Sequence, residues 1–142
     1  MKNIILILML FGCNTVFAQD IKADLKLVEA FSTDIRNPEK KLENIVQSYL
    51  CKLDDATFAG VLFQLKSLRT AIEGKELIVQ TFSQIPENES NISFGAEESV
   101  YRLLANQKHA CFFLVKDGII TSFATMTKGK GGHRVFLKLC GK

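Results

Sequence analysis

The sequence predicts an α+β fold, with N-terminal amphipathic helices packed on a C-terminal antiparallel β-meander. Three observations carry that expectation. Apolar residues in the first half recur at i, i+3, i+4 and i+7, the period of a helix with one buried face. After about residue 75, strand-forming residues take over. Asp117-Gly118 sits between two apolar runs, a strong two-residue hairpin signal because both turn positions need positive φ.

The elements follow in chain order. Met1-Lys2-Asn3 carries one positive side chain, and Ile4 to Phe11 is an unbroken apolar run. A run of eight residues is too short to span a bilayer, which takes about 20. Val16-Phe17-Ala18 supplies a small-x-small cleavage pattern. Residues 1–18 are therefore expected to be an export signal, with Gln19 as the new N-terminus. Leu10-Phe11-Gly12-Cys13 offers a rival reading, a lipobox-like pattern with lipid on Cys13, although Phe11 is bulky for it. Residues 19–142 are expected to form one α+β domain, periplasmic or secreted, with no transmembrane span.

Ile21, Leu25 and Val28 fall at helix spacing. Asn37-Pro38 reads as a helix start, since Asn can cap free N–H groups and Pro fits the first turn. The stripe of that helix is Leu42, Ile45, Val46, Tyr49, Leu50 and Leu53. Asp54 or Asp55 caps a third helix carrying Phe58, Leu62, Leu65 and Ile72, and Gly74 stops it. Glu76 to Phe82 is an expected strand, and Pro86 to Asn91 an expected polar loop. Ala96 to Ala105 reads as a short helix, with Val100, Leu103 and Leu104 on one side and Glu97 and Glu98 in the first turn. His109–Lys116 and Ile119–Thr127 form the hairpin. A loop over Lys128–Gly132 leads to a last strand from His133 to Cys140.

Register assigns the faces. Pairing Lys116 with Ile119 sets Phe112 opposite Phe123, and pairing Thr127 with His133 sets Cys140 against Ile120. Phe112, Leu114, Phe123, Leu137 and Leu139 then share the expected core face. Phe113, Val115, Ile120 and Phe136 share the other, which is also apolar. It needs a cover: the helices, a partner or a ligand. Beyond Cys13, the cysteines Cys51, Cys111 and Cys140 allow at most one internal disulfide and leave one thiol over. In this register Cys111 and Cys140 are about four positions apart on strands rising ~3.4 Å per residue, out of bonding reach. The pairing otherwise stays open.

Charge narrows the function classes. Lys and Arg number 18 against 15 Asp and Glu, a formal net charge of +3. That is too small to point to nucleic acid as the main partner. His109 and Cys111 are two apart on a strand, hence expected on one face. They are the only candidates for a thiol nucleophile and its base, and too few ligands for a metal site. Asp54-Asp55 and Glu97-Glu98 are adjacent and point apart on a helix, so capping explains them better than acid–base chemistry. Lys128-Gly129-Lys130-Gly131-Gly132-His133-Arg134 combines glycines with cations and could hold an anion. A strand follows it, and the Walker spacing is absent. Asn88-Glu89-Ser90 and Asn91-Ile92-Ser93 match the N-glycosylation pattern.

Val16-Phe17-Ala18-Gln19, Phe113-Leu114-Val115-Lys116-Asp117-Gly118 and Val135-Phe136-Leu137-Lys138-Leu139-Cys140-Gly141 resemble the small exported bacterial proteins of unknown function. That resemblance implies a cell-envelope or secreted location and no known activity. The layout of helices before a sheet is also similar to the nuclear-transport-factor-like and cystatin-like folds, which hold apolar ligands between sheet and helix. The expectation is thus a non-enzymatic exported binding module for a protein partner or an apolar small molecule. Its binding residues would be Phe113, Val115, Ile120 and Phe136, with Lys128, Lys130 and Arg134 at the rim and no cofactor or metal. The alternatives are a small thiol-dependent hydrolase using Cys111 and His109, or a structural subunit of an envelope assembly. Homo-oligomers are compatible with each.

Overall fold

Helix α1, over 20–36, buries Val28, Phe31 and Ile35 completely, at i, i+3 and i+7. It opens a computed structural model that describes residues 20–140. The export signal and the Cys13 pattern expected in 1–18 lie outside the described residues. Helix α2 (Leu42–Tyr49) buries Ile45 and Val46, and α3 (Asp55–Ile72) buries Val61, Leu65, Leu68 and Ile72. Asp54 caps α3 as expected, its Oδ1 accepting from the Thr57 N–H at 2.9 Å. Just past α3, Gly74 has φ +65°, the left-handed conformation that glycine adopts without penalty.

The helix expected to start at Asn37-Pro38 starts at Leu42 instead. The Asn37 Oδ1 accepts from the Glu39 N–H at 2.9 Å, a local turn that competes with the helix. At the far end, Leu50 leaves the helix in an extended conformation and forms a parallel bridge to Ile120. Arg69 of α3 ties the end of α1 down, donating from Nε to the Ile35 carbonyl at 2.6 Å and from Nη2 to the Lys40 carbonyl at 2.7 Å.

The fold is α+β, with these helices packed on a C-terminal sheet region that is mainly antiparallel. Strands β1 (Leu77–Thr81), β3 (Ser99–Ala105), β4 (Lys108–Lys116) and β5 (Ile119–Ser122) form one sheet in the order β1-β3-β4-β5. Strands β2 (Ile92–Ser93), β6 (Thr125–Lys128) and β7 (His133–Phe136) form a second, in the order β2-β7-β6, with β2 parallel to β7. The helix expected over Ala96–Ala105 is therefore corrected: strand β3 lies there, inside the main sheet. The single strand expected over Ile119–Thr127 is cut at Phe123-Ala124, and its halves serve different sheets.

Two hairpin turns hold β3, β4 and β5 together. Asp117 (φ 53°) and Gly118 (φ 69°) make the expected turn between Lys116 and Ile119, which pair. Asn106 (φ 49°) and Gln107 (φ 64°) make a second, between the paired Ala105 and Lys108. Asn106 is supported there by Glu76. Its N–H donates to the Glu76 carbonyl, and its Oδ1 accepts from the Glu76 N–H, both at 2.9 Å.

Two register shifts then decide which side chain faces where. Leu103 pairs with Cys111 but Leu104 with His109, so Ala110 is an extra residue. Val115 pairs with Ile120 but Leu114 with Ser122, so Thr121 is another. Each extra residue inverts the alternation beyond it. The expected core face is corrected accordingly. Phe112 and Leu114 face away from the helices, in a cluster with Ile85, Ile92 and Val100, against which Phe82 and Phe136 pack. Phe123 and Leu139 belong to the helix side, and Leu137 is exposed. Pairing of the last strand is also offset, with Lys128 rather than Thr127 opposite His133.

The main sheet is thus covered on both faces. On one side Phe31 packs edge-on against Phe113 and Tyr49, with ring centroids 5.5 and 5.4 Å apart. On the other lie the 82–94 segment and the small sheet. Cys51 and Cys140 form a disulfide that joins the end of α2 to the C-terminal extension of β7, and Cys111 is the buried thiol left over. Among the described residues no helix is long and apolar enough to cross a membrane.

Candidate functional site

The residues singled out for binding do not meet in one place. Phe113, Val115 and Ile120 are fully buried in the helix-side core, so the helices themselves are the cover that this face needed. Phe136 is half-buried in the opposite cluster. Arg134 folds back with its guanidinium carbon 5.2 Å above the Phe112 ring, a cation–π contact. Lys128 and Lys130 are exposed on the β6–β7 hairpin.

Cys111 and His109 are separated by the sheet, because the extra Ala110 sends them to opposite faces. Cys111 is buried on the helix side, where its thiol donates to the Phe123 carbonyl at 3.1 Å and the Phe112 carbonyl at 3.2 Å. Burial pushes that thiol up to about 12, far from the thiolate a nucleophile needs. His109 stacks on Phe112 with centroids 4.4 Å apart. Its pKa is lowered by desolvation first, then by the nearby Arg134 and Arg102 charges. A neutral imidazole on one face cannot deprotonate a thiol on the other. Among the described residues no three His, Cys, Asp or Glu side chains converge as metal ligands.

What the structure does offer on the surface is a groove of about 350 Å³ between α3 and β4. Phe63, Leu68 and Ala71 of α3 form one wall, and Ala110, Cys111, Phe123 and Ala124 the other. Phe63 is 74% exposed, the most exposed large apolar side chain among the described residues. The groove runs beside a strand edge. The β4–β5 ladder covers only Leu114 to Lys116, so the stretch of β4 from Lys108 to Phe113 continues past the end of β5.

A second cluster lies across the molecule, on the small sheet, and the sequence reading missed it. The parallel register sets Ile92 beside Arg134 and Ser93 beside Val135. It places His133 against the gap between Asn91 and Ser93, which share a face two residues apart. The imidazole fills that gap, with Nδ1 at 2.9 Å from the Asn91 Oδ1 and Nε2 at 2.9 Å from the Ser93 Oγ. Asn91 Nδ2 donates to the Gly131 carbonyl at 3.3 Å. On β3 of the main sheet, the buried Arg102 is neutralised by an ion pair with Glu89, and its Nε donates to the Gln80 Oε1 at 2.9 Å. Sequence carried one trace of the His133 cluster: Asn91 and Ser93 are polar neighbours of an apolar Ile92, an outward pair on a short strand.

No protein-family model matches this chain, and neither the curated proteins nor the solved structures contain a match.

Proposed function

We propose that this protein is an exported binding module whose α3–β4 groove takes an extended apolar segment of a protein partner. The observation that carries this reading is Phe63, a large apolar ring left 74% exposed beside a strand that outruns its neighbour. A strand edge lends main-chain donors and acceptors to an incoming segment, and an apolar wall beside it selects side chains. An open groove flanked by a strand edge suits an extended chain better than an enclosed small molecule, which is usually buried on most sides. Export is supported by the apolar Ile4–Phe11 run with Val16-Phe17-Ala18, and by the Cys51–Cys140 disulfide, a bond that persists in oxidising compartments.

The test is selection of a random peptide library displayed on phage against the wild-type protein, with Phe63→Asp as the counter-selection. The expected result is enriched peptides with alternating apolar residues, whose binding shifts the amide resonances of Phe63, Ala110 and Ala124. Peptides that enrich equally on Phe63→Asp, or no enrichment at all, would overturn the reading. For export, the intact mass of the protein from its own cells should begin at Gln19. A retained N-terminus or lipid on Cys13 would displace simple cleavage after Ala18.

A further inference from the structure

We infer that Asn91, His133 and Ser93 form a hydrolytic relay on the outward face of the small sheet, with Ser93 as nucleophile toward carboxylic esters of short apolar acids. The inference is independent of the α3–β4 groove. Asn91 Nδ2 donates to the Gly131 carbonyl, which turns Oδ1 toward the imidazole. An amide oxygen can only accept, so His133 carries its proton on Nδ1. That leaves the Nε2 lone pair to accept from the Ser93 hydroxyl at 2.9 Å. Nucleophile, base and orienting group are each within hydrogen-bond reach in one line, the arrangement that activates a serine.

The neighbouring residues fit an ester. Lys128 lies directly opposite His133 across the β6–β7 pair, so its side chain projects from the same face. It is exposed and has no ion-pair partner among the described residues, and it adds positive charge to this face, two strands from Ser93. Ser93 lies beside Val135, and Val135 beside the exposed Met126, an apolar row next to the nucleophile. Ser93 also borders a cleft of about 270 Å³ at the sheet's edge, where Phe94 and Val135 stand beside the Glu98–Lys138 ion pair.

The reaction follows from these positions. The Ser93 Oγ bonds to the ester carbonyl carbon as its proton passes to His133 Nε2, and the carbonyl π pair moves onto oxygen. Collapse breaks the bond to the alcohol, which leaves with the proton from His133. Water then adds to the acyl-serine with the same base, and the carboxylic acid departs, restoring the Ser93 hydroxyl. Asn91 is a positioning residue that holds the tautomer.

The experiment treats the purified, disulfide-bonded protein with a fluorophosphonate, maps the adduct by mass spectrometry, and follows p-nitrophenyl butyrate hydrolysis. The expected result is one adduct, on Ser93, and turnover reduced ~10²-fold or more in Ser93→Ala and in His133→Gln. His109→Gln should retain the wild-type rate, which separates the relay from unspecific imidazole catalysis. Asn91→Ala should distort the pH profile, and Asn91→Asp should restore it. Absence of a Ser93 adduct on the folded wild-type protein overturns the inference, whatever the variants do. So does a Ser93→Ala rate equal to wild type.

Discussion

Replacing both Cys51 and Cys140 by serine should lower stability substantially without altering the fold. The two cysteines are 89 positions apart in sequence. Cross-linking a loop of that length removes about 4.5 kcal/mol of chain entropy from the unfolded state. Contacts that hold the C-terminal extension in the folded state do not depend on the bridge. The Leu137 N–H donates to the Ala124 carbonyl at 2.9 Å, the Leu139 N–H to the Thr121 carbonyl at 3.0 Å, and Lys138 pairs with Glu98 at 2.5 Å. The loss should therefore arise in the unfolded chain, which expands when the link is gone. In urea, with a slope of about 1–3 kcal/mol per molar, the midpoint should fall by roughly 1.5–4.5 M, and the slope itself should rise as more surface is exposed. Far-UV circular dichroism before denaturation should be unchanged. A midpoint shift below about 0.5 M with an unchanged slope would refute the chain-entropy reasoning. A changed native spectrum would show that the bridge instead holds native packing in place.

Two further outcomes follow from the interior. Cys111, held as a buried thiol near a pKa of about 12, should not react with an aromatic disulfide reagent in the native protein at pH 8. The Cys111 thiol should become reactive only after denaturation, and rapid labelling of Cys111 in the native protein would contradict the burial. Glu98 concerns acid stability. Burial raises its pKa, but donation from Lys138 and from the Gly95 N–H, each at 2.5 Å, outweighs that and leaves it below its ordinary value of 4.5. A depressed carboxyl contributes stability above its unfolded pKa and loses it as pH falls through the folded value. Glu98→Gln should cost ~1–2 kcal/mol at pH 7 and flatten the decline below about pH 4.5. A wild-type acid limb in that variant would remove Glu98 from the account.

The elements set by local chemistry were legible in the sequence. Asp54 caps, Gly74 stops a helix, and Asp117-Gly118 turns a hairpin, each because one side chain suits one backbone conformation. Counting cysteines allowed at most one internal disulfide with a spare thiol, and left the pairing open. Strand β3 was hidden for two physical reasons. Both of its faces are buried, so Val100 to Ala105 shows no polar alternation. Its hairpin turn is Asn106-Gln107, without the glycine that announces such turns, and Glu76 supplies the compensating hydrogen bonds. The face assignments failed at Ala110 and Thr121, because a single inserted residue inverts every side chain after it and leaves no mark in composition. That is why Cys111 and His109 looked like neighbours and are not. The Ser93–His133 contact spans 40 positions and depends on a parallel pairing of a two-residue strand, which no local pattern encodes.

The two-sided burial of the central strands also shapes how this chain can diverge. A strand with one wet face can exchange half of its residues freely, but β3 and the middle of β4 have no such face. Drift is then channelled into the exposed sides of the helices, the hairpin tips and the 82–98 excursion, where most of the chain's distinctive motifs lie. Two blocks would persist, Val100–Ala105 and Cys111–Val115, and both are dense and aperiodic. Kinship recorded in such blocks is carried by shape and volume more than by letters, so relatives of this fold would be recognised by superposition before alignment.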